Sequence, residues 1–560
     1  MSKKLELVWE GKETPLRPEP RILIEKPELS YSVDGENVSK DNILIHGDNL
    51  LALKALEKDY SGKVKCIYID PPYNTGKAFE HYDDNFEHSI WLNLMKNRIE
   101  LLYNLLAENG IFCVQIDDSE GAYLKVMLDE IFGRNNYLTT FYIRVRYPDK
   151  TLKEAMDFQK EIEQIHIYRK QYGAEPNFKY QNVGFDKFNF FVKEKGSSVK
   201  TITLGGKKVE IFDKGTFEIV QKEEGSEFGL KEIWASGTIL DGNSSGRFFR
   251  DYLTGRYKED GYGVLYKVYG IGDDRFDYRY FTGPQREGAT KGKYFQGVPI
   301  DKLNANENLR KLPINGFYDF ASNFGNCRQE GGVGFRGGKK PEALLKMLIE
   351  MFTKEGDLVL DSFAGSGSTA ATAQKLNRQW ITIEMGEHAY SLCKIRLDNV
   401  ISGKDKSGIT KDVNYQGGGS YKFYELAPTL IVKNALGIEV INKEYNAEQL
   451  AAAVALHEGY DYQPDENIFW KQSKASENSY LFVTTSYITP ATISQIEQMM
   501  GKDEYLLIAC KAFDSACEGT SKKITIKKIP QMLLKLCEFG KDDYSLNIVN
   551  PPFYEDDDEE

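Results

Sequence analysis

Residues 64–76 read VKCIYIDPPYNTG. The apolar run from Val64 to Ile69 has the length and composition of a short buried strand. It stops at Asp70, because two successive prolines, Pro71 and Pro72, cannot continue a helix or sit in a central strand. An acid, a rigid turn without N–H groups and an aromatic, Tyr73, therefore collect at one strand end.

Working outward from that strand, the chain alternates. Ile43–His46 reads as a strand and Asn49–Glu57 as a short helix. Ser89 is placed to cap a long helix with apolar positions at Trp91, Leu94, Met95, Leu102 and Leu105, ending at Gly110. Residues 111–116, IFCVQI, are another strand, a helix closed by Gly133 follows, and strands are expected near 138–145 and 162–168. Such alternation implies a mainly parallel, doubly wound sheet. Residues 170–335 are rich in Gly, Tyr, Phe and Lys with short β-like runs, the composition of an inserted domain. The α/β rhythm resumes at PEALLKMLIEMF (341–352) and continues to the boundary YQGGGSY (415–421). The expected division is thus an irregular lead-in at 1–40, core halves at 41–169 and 336–415 around the 170–335 insertion, a small α/β domain at 416–550, and an acidic tail at 551–560.

The 560 residues are 41 % hydrophobic and 28 % charged, as expected of a globular protein. No apolar run approaches the ~18–20 residues that span a bilayer, and the N-terminus has no signal-peptide core. Seven scattered cysteines form no CxxC pair, and six histidines show no metal-ligand spacing, so the reading is a reduced, cytoplasmic protein with neither disulfide framework nor metal site. The formal charge of −12 argues against a nucleic-acid partner only superficially. Glu555 to Glu560 are all acidic, leaving −6 on the other 554 residues. Basic clusters are local: Arg144, Arg146 and Lys150; Arg247, Arg250 and Arg256; Arg286, Lys291 and Lys293.

A second stretch, LVLDSFAGSGSTAATA at 358–373, runs from a buried strand through a Gly-rich turn into a small-residue helix. Glycines let backbone approach a ligand, and the helix start offers free N–H groups. A nucleotide-phosphate loop would need Lys where Ser368 stands. The better match is a dinucleotide-like fold holding an adenosyl group, with an acid at the next strand end for the ribose hydroxyls. Glu384, ending QWITIE, fits.

DPPY followed by NTG, with FAGSGS later in the same chain, resembles the amino-methyltransferases of DNA, which use S-adenosylmethionine. The order, with the variable segment between the motifs, is similar to the β group. The resemblance implies an α/β fold: a Rossmann-like methyltransferase sheet in circularly permuted order, an inserted target-recognition domain and a small C-terminal α/β domain. HGDNLLALKAL resembles the segment whose acid, here Asp48, faces the cofactor's adenine. KKPEALLKMLI resembles the helix lining its methionine end. EHYDDNFEHSIWLNLMKNRIELL, QIDDSEGAYLKVMLDEIFG and GGGSYKFYEL most resemble the methyltransferase subunit of type III restriction–modification systems. That likeness implies double-stranded DNA as substrate, a homodimer and a possible ATP-dependent restriction subunit as partner.

The implied catalytic set is Asp70, Pro71, Pro72 and Tyr73. Asp70 and the Pro71 carbonyl accept the two hydrogens of the adenine N6 amine. Tyr73 stacks on an extruded base, a task for which Phe or Trp would serve equally. The implied cofactor set is Asp48, Asn74, Thr75, Lys340, Pro341, Asp361, Phe363, Gly365, Gly367 and Glu384. Base-reading candidates in the insertion are Asn243, Arg247, Arg250, Gln285 and Arg286. NPPF at 550–553 resembles a catalytic tetrapeptide but has no helix after it and reads as a domain end. Two alternatives stand beside adenine-N6 methylation: cytosine-N4 methylation, where the family more often has Ser in place of Asp70, and a non-catalytic DNA-recognition subunit.

Overall fold

The computed structural model describes residues 6–14, 16–33, 35, 42–73, 84–148, 158–182, 184–235, 244–272, 274–303, 309–335, 338–476, 478–542 and 544. It divides into two compact units, 178–314 and the remainder of the chain.

The larger unit is built on an 11-stranded sheet. Its strands in chain order are β1 (Leu23–Glu25), β2 (Tyr31–Ser32), β3 (Ile43–His46), β4 (Val64–Ile69), β5 (Leu106–Ile116), β6 (Tyr137–Arg144), β7 (Ile162–Arg169), β8 (Phe317–Asp319), β9 (Leu358–Asp361), β10 (Gln379–Glu384) and β11 (Ser420–Leu426). Across the sheet they run β1–β11–β3–β10–β9–β4–β5–β7–β6–β8, with β2 also paired to β11. From β11 to β5 every pairing is parallel. The reversed strand β7 is antiparallel to both its neighbours, β5 and β6. Residues Val359 and Leu360 of β9 pair with Cys66 and Ile67 of β4, nearly 300 positions earlier. Parallel strands buried on both faces demand continuous apolar runs, and β4 and β9 are almost entirely buried.

Helices α1 (Asn49–Tyr60), α2 (Asp84–Leu105), α3 (Gly121–Leu128), α4 (Glu342–Phe352), α5 (Ser368–Lys375) and α6 (Ile395–Ile401) belong to this unit. Trp91, Met95, Ile99 and Leu102 of α2 pack into the same core as Ile67, Phe112 and Leu360 of the sheet. Ser89 lies inside α2 and does not cap it, because the helix begins at Asp84. The lead-in also departs from expectation: Leu23–Glu25 is an edge strand whose partner is β11. Likewise β11 belongs to the main sheet, parallel to β3, because a run alternating as SYKFYEL pairs where an unfilled edge is available. Beyond it lies a five-stranded sheet made of Asp461–Tyr462, Ser473–Ser476, Ser479–Ile488, Tyr505–Phe513 and Ile524–Lys528. The helix Ala447–Glu458 starts on a capping box formed by Asn446 and Gln449.

The smaller unit begins and ends inside the expected 170–335 bounds. Residues 315–335 return to the larger unit because β8 pairs with β6. It contains an 8-stranded antiparallel sheet with Val209, Phe249, Leu253, Val268 and Phe281 in its core. No helix among the described residues is long and apolar enough to cross a membrane.

One buried histidine makes the fold sensitive to acid. In β7, His166 Nε2 lies 3.0 Å from the Gly121 carbonyl and Nδ1 lies 2.9 Å from Thr140 Oγ1. Burial pushes its pKa down to about 4. The unfolded chain therefore binds a proton that the native chain refuses, and stability is lost as pH falls from about 6.5 toward 4. This one group contributes up to about 1.4 kcal/mol per pH unit in that window. His166→Gln cannot take up the proton, so its melting temperature should fall less than the wild type's between pH 7 and pH 5. Equal falls in the two proteins would show that this histidine is not the sensitive group.

Candidate active site

The carboxyl ends of β9 and β4 lie side by side, the place where open α/β sheets bind ligands. Asp70 follows β4 directly. Its Oδ1 lies 2.7 Å from Tyr73 Oη and its Oδ2 lies 3.0 Å from Lys340 Nζ. Glu163 of β7 reaches the same point. Its Oε2 lies 2.8 Å from Tyr73 Oη and 3.4 Å from Lys340 Nζ, and it also accepts from Gln115 Nε2. Gln115 is aimed by the Tyr68 hydroxyl, 2.6 Å from its Oε1. The turn is anchored from below, where the Trp91 indole N–H donates to the Pro72 carbonyl at 2.8 Å.

These groups oppose one another electrostatically. Burial raises the pKa of Asp70, and the Lys340 ammonium opposes that rise. For Glu163, Lys340 together with the donors Gln115 and Tyr73 outweighs burial and holds the carboxyl below its ordinary range. The two carboxylates in turn keep Lys340 charged although it is only 6 % exposed.

The Gly-rich turn is held equally firmly. Gly365 and Gly367 have φ of 54° and 72°, left-handed values that disfavour any side chain. Glu384 accepts the Gly365 N–H at 2.7 Å through Oε2 and the Gly386 N–H at 2.9 Å through Oε1, where His388 Nε2 also lies at 2.9 Å. Asp361 accepts from the Phe363 N–H at 2.9 Å and the Thr369 hydroxyl at 2.6 Å. Burial, with Asp70 and Glu384 nearby, pushes its pKa up to about 7. From behind, Arg396 donates to Ser368 Oγ at 2.6 Å and to Glu342 at 2.9 Å, and Lys375 Nζ sits 2.7 Å from Glu342.

The structure brings Asp70, Pro71, Pro72, Tyr73, Asp361, Phe363, Gly365, Gly367 and Glu384 to one edge. Four of the expected residues make contacts that the motifs did not indicate. Asp48 does not face an open pocket. Oδ1 caps α1 at the Leu50 and Leu51 N–H groups, and Oδ2 accepts from Arg98 and the Tyr544 N–H. A carboxylate has about four lone-pair sites, and all are taken. Lys340 points at Asp70 and Glu163, because two partly buried carboxylates attract its ammonium. Pro341 is the N-cap residue of α4. Tyr73 offers more than an aromatic face, since its hydroxyl joins two carboxylates. Asn74, Thr75 and the NPPF segment lie outside the described residues.

In the smaller unit, Asn243 also lies outside the described residues. Arg247 and Arg286 are exposed, Arg250 pairs with Asp251 and Gln285 donates to the Gly283 carbonyl. Glu163 and Gln115 were not anticipated. The sequence signal for Glu163 is a single carboxylate inside the otherwise strand-like run IEQIHIYR.

A model of the DNA methylase family matches residues 64–394, well over half of the chain, and the chain belongs to that family. It is 34 % identical over 426 residues to the probable type III restriction-modification enzyme HindVI Mod subunit of Haemophilus influenzae, covering 69 % of this chain and 54 % of that protein. It is 25 % identical to the StyLTI Mod subunit of Salmonella typhimurium, covering 67 % and 56 % respectively. The EcoPI Mod subunit of Escherichia phage P1 is likewise 25 % identical, covering 67 % and 62 %. The chain thus spans little more than half the length of the first two of these relatives. Among solved structures, the cytosine-N4-specific PvuII DNA methyltransferase superposes with a TM-score of 0.33 at 14 % identity, over 67 % of this chain and 93 % of that one.

Removing the ammonium should expose the charge balance. Lys340→Met leaves two partly buried carboxylates, 18 % and 17 % exposed, without their ammonium, which should cost up to about 3 kcal/mol at pH 8. Both carboxyls would then titrate upward, so protonation relieves the cost as pH falls. The gap in melting temperature between variant and wild type should narrow from pH 8 to pH 5.5. A gap independent of pH would refute the assigned pairing.

Proposed function

We propose that this chain is a sequence-specific DNA methyltransferase that transfers a methyl group from S-adenosylmethionine to the N6 amine of adenine. We further propose that it is the modification subunit of a type III restriction–modification system. The observation that carries the reading is Asp70 on its rigid Pro-Pro turn, directly beside the Gly-rich turn that Glu384 closes.

The residues of the second turn suit the cofactor. Glu384 stands at the end of β10 with His388, 37 % exposed, on one oxygen. A ribose hydroxyl replacing that ring would meet a charged acceptor. A side chain at Gly365 would meet nothing nearer than 3.8 Å, so the turn is open on that side. The α5 N-terminus behind it favours a carboxylate. When bound, S-adenosylmethionine supplies a methyl group on an electron-poor sulfonium.

The chain's own residues act on the base. The N6 lone pair is delocalised into the adenine ring and is a poor nucleophile. Asp70 and the Pro71 carbonyl accept the two amine hydrogens and turn the lone pair toward the methyl group. Lys340 holds Oδ2 of Asp70 and so fixes the carboxylate plane. As N6 gains positive charge, the ionised Asp70 stabilises it, the preorganised electrostatics that lower a barrier most. Positioning adds up to roughly 7–11 kcal/mol. Extruding the base from the duplex costs a few kcal/mol, offset in part by stacking on Tyr73. The 178–314 unit is assigned to target recognition, with exposed Arg247 and Arg286 as its strongest candidates for DNA contact. A homodimer and a partner restriction subunit complete the proposal, supported by the similarity to Mod subunits. An acid at position 70 favours adenine over cytosine.

Two variants separate chemistry from binding. Asp70→Ala should abolish transfer of labelled methyl groups to DNA while still binding duplex and cofactor, because its interaction strengthens in the transition state. Glu384→Ala should instead weaken S-adenosylmethionine binding in calorimetry. The loss of a charge-assisted bond is about 1.5–3 kcal/mol, roughly ten- to a hundredfold in Kd. Near-normal turnover in the first, or unchanged affinity in the second, would defeat the assignment.

A further inference from the structure

A half-buried phenyl ring, that of Phe335, overlooks the Gly-rich turn. Its Cζ is the atom nearest to where a side chain at Gly365 would begin, 3.8 Å away. On its other side the ring stands 6.0 Å from the imidazole of His388, tilted by 54°. That imidazole lies on Glu384 Oε1, while Oε2 of the same carboxylate holds the Gly365 N–H. Phe335 therefore faces both the turn and the ring that rests on the acid closing it.

The segment that presents Phe335 is strapped down. The buried Lys339 donates to the carbonyls of Arg328, Glu330 and Val333 at 3.0, 2.6 and 2.8 Å. The Gly331 N–H donates to Ser407 Oγ at 2.7 Å, and Asn399 Nδ2 donates to the Gly331 carbonyl at 3.3 Å. Gly331 itself has φ of 72°, and a side chain there would run into Arg396. The backbone two residues before Phe335 is thus fixed by groups on three elements. Small-molecule sites combine apolar and aromatic walls with a few polar groups that set orientation. Glu384 is such a polar group, and Phe335 is a flat apolar wall close to it. His388 fills both contacts in the structure, with a nitrogen on the carboxylate and a flat ring facing the phenyl.

Resting on the S-adenosylmethionine reading above, we propose that Phe335 is a cofactor-binding residue whose ring packs on the adenosyl group that Glu384 holds by its ribose. A ribose hydroxyl takes Glu384 Oε1 from His388, and the imidazole gives up its place before the phenyl ring. The adenosyl group then covers apolar surface that Phe335 otherwise leaves to water. The contact is made to the part of the molecule that S-adenosylmethionine shares with its product, S-adenosylhomocysteine. Phe335 therefore contributes to holding the cofactor and does not distinguish the methylated sulfonium from the thioether left after transfer.

The test is calorimetry of the full chain with S-adenosylmethionine and, separately, S-adenosylhomocysteine. Phe335→Ala should weaken both about tenfold, the scale of losing an aromatic stacking partner, and by the same factor within about twofold. Phe335→Trp should bind each within about threefold of the wild type, because a flat face remains. Affinity for duplex DNA alone should not change. If Phe335→Ala folds poorly, Phe335→Leu keeps the bulk and loses the flat face, and should still weaken both ligands about threefold or more. Unchanged affinities together with a lower melting temperature would mark Phe335 as a packing residue and overturn the proposal. So would a loss confined to S-adenosylmethionine, which a cation–π contact with the sulfonium would give. A wild-type chain that binds neither ligand would overturn the cofactor reading itself, an outcome distinct from wild-type binding that Phe335→Ala leaves intact.

Discussion

The first turn of α4 ties the site together. Three charged side chains around Pro341 reach three separate sets of partners. Lys339 donates to the carbonyls of Arg328, Glu330 and Val333. Lys340 meets Asp70 and Glu163. Glu342, fully buried, receives Arg396 on one oxygen, and on the other Lys375 and the Ile409 N–H. Buried charges survive only where every one is paired and hydrogen-bonded, and breaking such a pair typically costs about 3–5 kcal/mol. One helix start thus holds the catalytic turn through Lys340 and the Gly-rich turn through Glu342 and Arg396. Neither turn can shift without disturbing a charge that has no water to fall back on.

That arrangement explains how a site can be assembled from halves separated by an insertion. The chain leaves the sheet after β7 and returns at β8, then supplies α4, β9 and β10. The 178–314 unit is folded around its own core, and closing a long excursion costs little more than closing a short one. What must be maintained is the pairing of β9 with β4 and the grip of α4 on both turns.

The same reasoning separates two kinds of charge in the molecule. Arg144 pairs with Glu161 and Asp319, and Arg256 with Asp260 and Glu259, so these members of the basic clusters are locally neutralised. Arg247 and Arg286 stay exposed. Partially exposed pairs of the first kind are worth little to stability. The buried Lys340 ammonium and the partly buried carboxylates at the site follow different rules, because lowered dielectric strengthens the dependence of each charge on its partner.

The sequence by itself determined the strand that leads into Asp70, the Gly-rich turn and the acid at Glu384. Each of these is written in local chemistry: proline removes N–H groups, left-handed turns select glycine, and buried parallel strands require apolar runs. Tertiary structure alone decided where the long polar side chains went. Asp48 turned to α1 and Arg98, Lys340 crossed to Asp70, and Glu163 came from β7 to meet Tyr73. Spacing along the chain carries no record of such choices. A flexible charged side chain settles on whichever buried partner the packed sheet brings within about 3 Å, and that distance exists only once β4, β7 and α4 are in contact.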